Sequence, residues 1–97
     1  MPNYKIREKA LEDLESIWLY TLDTWSEEQA NHYLNLIFQE IELISSNKQS
    51  GISIQKVREG YFYTKVKSHL IFYIISDTVE VVRVLNQKMD LGKHLKK

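Results

Sequence analysis

The sequence predicts an α+β fold: an N-terminal strand, an antiparallel helical hairpin, then a three-stranded antiparallel meander. Two observations carry this. Apolar residues recur at three- and four-residue spacing from residue 9 to about residue 45. After residue 60 the pattern changes to three β-rich runs separated by hairpin-length breaks. The chain has 97 residues and no cysteine, so one domain over residues 1–97 is expected, with a core that holds without disulfides.

Tyr4-Lys5-Ile6-Arg7 alternates weakly and reads as a short strand that adds to the sheet. Lys9 to Asp23 reads as a helix, with Ala10, Leu14, Ile17, Trp18 and Thr21 on one stripe and Trp25 continuing it. Glu8, Glu12, Asp13 and Glu15 crowd its start, where the helix dipole favours negative charge. Ser26-Glu27-Glu28-Gln29 is a capping box that opens a second helix reaching about Ser45. Its apolar stripe is Ala30, Tyr33, Leu34, Ile37, Ile41 and Ile44. The short connection makes the helices an antiparallel hairpin, with Trp18 and Trp25 expected in the seam.

Ser45 to Ile54 is polar, contains Gly51 and reads as a loop. Tyr61–Lys67, Leu70–Ser76 and Val79–Gln87 read as the meander, broken at Ser68-His69 and Asp77-Thr78. The middle run, Leu70-Ile71-Phe72-Tyr73-Ile74-Ile75, is apolar on both faces and is expected at the centre of the sheet. The hairpin is expected to cover one face and leave the other partly open. The tail from Gly92 to Lys97 reads as a turn or short helix.

The net charge of zero hides an asymmetry. Residues 1–50 carry four basic against nine acidic side chains, and residues 51–97 carry nine basic against four acidic. A basic half attracts an acidic protein segment or nucleic acid, unless the two halves interleave in space. Several classes are excluded or disfavoured. Without cysteine there is no thiolate zinc site and no thiol nucleophile. Glycines at 51, 60 and 92 make no phosphate loop, and histidines at 32, 69 and 94 lack metal-ligand spacing. No metal or cofactor is expected. No apolar run is long enough to span a membrane and no signal peptide is visible, so a soluble cytoplasmic protein is expected.

The ordered fragments Ala10-Leu11-Glu12-Asp13-Leu14 with Ile17-Trp18-Leu19-Tyr20-Thr21, Trp25-Ser26-Glu27-Glu28-Gln29-Ala30 with Tyr33, Val57-Arg58-Glu59-Gly60-Tyr61, His69-Leu70-Ile71-Phe72-Tyr73, and Val82 to Asp90 with His94-Leu95 cover nearly the whole chain. Together they resemble the ParE/RelE superfamily of type II toxin–antitoxin toxins, with the ParE branch fitting best. The resemblance implies a toxin neutralised by a small antitoxin, whose C-terminal segment fills a groove beside the helices and crosses the sheet, giving a hetero-oligomer. It also implies DNA gyrase as the target and no catalysis by the toxin. The alternatives are a ribosome-dependent messenger-RNA endoribonuclease of the RelE type and a degenerate toxin that only binds its antitoxin.

A RelE-type nuclease needs a base, an acid and cations for the phosphorane charge. Lys65, Lys67, His69, Arg83, Lys88 and a tyrosine among Tyr61, Tyr63 and Tyr73 are the inventory. Where many relatives carry a histidine in the last strand this chain has Asn86, and no tyrosine follows Tyr73. Both departures point away from catalysis. No catalytic residue is therefore assigned. Arg58, Tyr61, Lys65, Arg83, Asn86, Lys88 and Met89 are the candidates for contact with the target or antitoxin. Arg83 stands in a β-branched run, sharing a face with Val81 and Leu85 if the strand alternates regularly. A lone guanidinium there needs a carboxylate such as Glu59, Glu80 or Asp90, or an anionic partner. His69 reads as a turn residue and His32 as lying on the polar face of its helix.

Overall fold

Both helices form where the apolar spacing places them. The computed structural model describes residues 4–46, 52–53 and 60–88. Its elements are β1 (Tyr4–Ile6), α1 (Glu8–Thr24), α2 (Glu27–Ser46), β2 (Ile52–Ser53), β3 (Phe62–Val66), β4 (His69–Ile75) and β5 (Val79–Asn86). Ser26 Oγ accepts the Gln29 amide at 3.1 Å, the half of the capping box that opens α2. Ala10, Leu14 and Ile17 of α1 and Ile37 and Ile41 of α2 pack on Ile71, Val81 and Val84 of the sheet.

The sheet order is β1-β5-β4-β3-β2, so the doubly apolar β4 is the middle strand, as its composition requires. β1 runs parallel to β5, pairing Tyr4 with Val79 and Ile6 with Val81. Arg7 Nε reaches Glu80 at 2.6 Å and ties the entry to α1 to β5. That pair is solvent-exposed enough to contribute only about 0–1 kcal/mol.

Four expectations change. Ile52–Ser53 is a strand within the stretch read as a loop, pairing with Tyr63 and Phe62. Two residues are too few to carry a periodic signal. Trp25 does not fill the helix seam but is 72% exposed, because α1 ends at Thr24 before its stripe can turn inward again. Trp18 is half-buried and donates its indole N–H to Asn31 Oδ1 at 2.9 Å. The sheet face away from the helices is not simply open. Leu70, Phe72 and Leu85 form a second buried cluster there, with Tyr61 and Tyr63 packed against it. Arg58, Met89 and the tail from Gly92 lie outside the described residues.

β4 and β5 slip register between Phe72 and Tyr73, which face Arg83 and Val81. Val82 is thus the extra residue of a β-bulge, and regular alternation breaks there. Val81 faces the helices while Leu85 joins the cluster on the opposite face, so Arg83 cannot share a face with both.

Candidate functional site

α1, α2, the β3–β4 turn and the end of β5 enclose a cleft of about 880 Å³. Its helical walls carry Ile17, Tyr20 and Thr21 from α1 and Gln29, His32, Tyr33 and Leu36 from α2, with Trp25 between them. Lys67, Ser68, His69 and Asn86 close the sheet end. Among the described residues, none that lines it is an aspartate or glutamate. Tyr20 and Trp25 are strongly exposed rings at this cleft.

The sheet end is built around two residues 36 apart in sequence. The Tyr33 hydroxyl lies 2.7 Å from His69 Nδ1 and 3.3 Å from the Val66 carbonyl oxygen. The single phenol proton serves either that carbonyl, with Nδ1–H donating to the phenol oxygen, or Nδ1 itself, with the proton of the neutral ring on Nε2. The rings meet edge to face at 5.5 Å. Burial holds the His69 pKa below its usual 6.5, partly offset by the charge of Asp13. A neutral folded-state histidine binds fewer protons than the unfolded chain. Stability is therefore lost as pH falls from about 6.5 through the lowered folded value, and levels off below it. Between about pH 7.5 and pH 5, wild type is expected to lose more stability than His69→Gln. Equal losses in urea melts of the two proteins would contradict a depressed His69 pKa.

Asn86 is the sequence-predicted residue that the fold brings into this cleft. It pairs with His69 across the β4–β5 ladder, and its Oδ1 accepts the Lys88 amide at 2.9 Å, turning the chain out of the sheet. Lys88 is exposed beside it. Tyr61 and Lys65 lie elsewhere. Tyr61 packs on the second cluster, and exposed Lys65 pairs in register with Leu70, whose side chain belongs to that same face.

Arg83 finds an internal carboxylate, but not Glu80, which is engaged by Arg7. Its partner is Asp13 on α1. Nε donates to Oδ2 at 2.8 Å and Nη2 to Oδ1 at 3.0 Å, and Oδ2 also accepts the Val84 amide at 2.9 Å. β1 pairs only as far as Val81, so this carboxylate serves an edge amide of β5 that β1 does not reach. The Asp13 hydrogen bonds and charge raise the Arg83 pKa further above its usual value. Sequence spacing could not show this contact, because α1 and β5 lie 70 residues apart. Tyr33, Lys67 and His69 were visible as residue types, but their meeting depends on how α2 crosses the β3–β4 turn.

The model of the family described as the ParE toxin of the type II toxin–antitoxin system, parDE, matches residues 4–91. The chain belongs to the ParE toxin family. Toxin ParE1 of Caulobacter vibrioides is 35% identical over 95 residues, covering 98% of this chain and 99% of that protein. Toxin ParE1 of Mycobacterium tuberculosis is 35% identical over 94 residues, covering 95% and 96%. A solved structure described as the chromosomal ParDE TA system from P. aeruginosa has a TM-score of 0.76 at 15% identity, covering 89% of this chain and 96% of that one. That likeness is of fold. This ParE-family toxin thus has the strand, hairpin and meander expected of it. Among its described residues no helix is long and apolar enough to cross a membrane, and no group of histidine, aspartate or glutamate side chains is placed to hold a metal ion.

Proposed function

We propose that this toxin acts in the cytoplasm by binding DNA gyrase, without chemistry of its own, and that a cognate antitoxin neutralises it by filling the cleft between the helices and the sheet. The observation that carries the non-catalytic reading is the Asp13–Arg83 pair. The one cation of the last strand is spent on an internal carboxylate, so it is not presented to a phosphorane. Lys65 and Lys88 are exposed, and neither is bonded to Asp13. The antitoxin reading draws on the cleft itself, which is aromatic-walled and, among the described residues, free of acidic lining side chains.

Purified toxin at stoichiometric ratio is expected to inhibit supercoiling by gyrase or to trap its cleavage complex. Normal supercoiling with no trapped complex would remove the gyrase target. Tyr33 and His69 do meet, with Lys67 lining the same cleft, and a phenol, an imidazole and an ammonium are groups a ribonuclease would use. Codon-periodic transcript ends after expression would favour the ribonuclease; intact transcripts with DNA damage are the expected result.

A further inference from the structure

Lys67 is the sole non-glycine among the described residues with a positive φ, at 56°. It occupies the first position of a two-residue hairpin loop, since Val66 pairs with His69. Such loops favour glycine, asparagine or aspartate because a β-carbon in the left-handed region is strained. Val66-Lys67-Ser68-His69 supplies none of these. Strain kept at a cleft is a mark of function. Lys67 is exposed and, among the described residues, has no carboxylate within ion-pair distance and is the one lysine or arginine lining the cleft. Trp25 and Tyr20 supply exposed rings along the same cleft.

We infer that the Lys67 turn is a carboxylate subsite, at which Lys67 pairs with an acidic side chain of a peptide partner whose neighbouring apolar or aromatic side chain lies along the cleft. The proposal deepens the antitoxin reading of this cleft by naming the anchor and its chemistry. A peptide suits the charge pattern better than a nucleic-acid strand. One cation matches one carboxylate, whereas a nucleic-acid strand brings a phosphate at every nucleotide and needs several cations along its path. From this turn the Lys67 ammonium, on its four-carbon stem, reaches the cleft.

The test titrates the intact chain with N-acetyltryptophan and with N-acetyltryptophanamide, which has the same ring and no carboxylate, following backbone amide shifts. The acid is expected to bind about fivefold more tightly than the amide, with the largest shifts at Lys67, Ser68 and His69. Lys67→Arg is expected to keep that preference. Lys67→Met, which keeps the stem and the strain, is expected to abolish it at unchanged Tm. Lys67→Gly is expected to abolish it while raising Tm by about 4 °C, because strain is relieved. A ratio of one in wild type, a preference surviving in Lys67→Met, or a lower Tm in Lys67→Gly each overturns the proposal. So does uridine monophosphate binding there more tightly than the acid, which would assign the turn to nucleotides. None of these readouts involves gyrase or an antitoxin. The subsite therefore stands if the gyrase target fails, and falls on a ratio of one even if toxicity and neutralisation are observed.

Discussion

Asp13→Ala is expected to destabilise the toxin by about 3 kcal/mol, and by more than Arg83→Ala, at about 2 kcal/mol. The order follows from what each substitution orphans. The two side chains keep only 15% and 20% of their exposure, so neither is well hydrated once its partner is gone. Losing Asp13 leaves both the guanidinium and the Val84 amide without their acceptor, whereas losing Arg83 leaves the carboxylate still bonded to that amide. The double variant is expected to be less destabilised than the sum, with a coupling of about 1–2 kcal/mol between directly bonded partners. Because the pair is largely desolvated, the coupling is expected to persist in about 1 M salt, where exposed pairs are screened. Urea midpoints for the four proteins of the cycle measure it. A loss under about 0.5 kcal/mol in Asp13→Ala, the range of ordinary surface substitutions, would mean that the bidentate geometry does not hold in solution.

The same pair shows how far the sequence could be read. Element type and order were legible because they rest on local periodicity. The helix stripes repeat over many turns, and β4 declares its central place by being apolar on both faces. β2 was not legible, since two residues define no period. Nor was the bulge at Val82. Nothing in Val81-Val82-Arg83-Val84 marks an extra residue, yet that residue decides which face each neighbour takes. Arg83 was recognisable as a charge in need of a partner, and the need was real. The identity of the partner was not recognisable, because Asp13 reads equally well as one more acid favourable to the start of a helix.

The candidate site divides along the same line. Residue types suggested a basic, partner-facing half, but the fold sends Tyr61 and Lys65 to the sheet face opposite the helices and brings only Asn86 of the described candidates into the cleft. The turn at Lys67 was missed because the break was read at Ser68-His69, one residue late, whereas Val66 pairs with His69 and leaves Lys67-Ser68 as the loop. A lysine after a strand is ordinary until its φ is known.

Phe72→Ala is expected to cost about 3–5 kcal/mol, the range for removing a fully buried aromatic from a core. A sheet with one free face would predict far less, because a side chain already in water loses little when truncated. The distinction is physical. Phe72 has no remaining exposure, although it lies on the face away from α1 and α2. It packs between Leu70 and Leu85 and meets the Tyr63 ring at 5.8 Å. A small domain typically has about 5–15 kcal/mol to lose, so this one substitution removes a large fraction of the total. Ile41→Ala, buried on the helix side, is expected to cost about 2–5 kcal/mol and serves as the reference for an undisputed core position. Comparable losses in the two variants establish that the sheet is held by cores on both faces. A Phe72→Ala loss near 1 kcal/mol beside a full Ile41→Ala loss would return the second face to solvent.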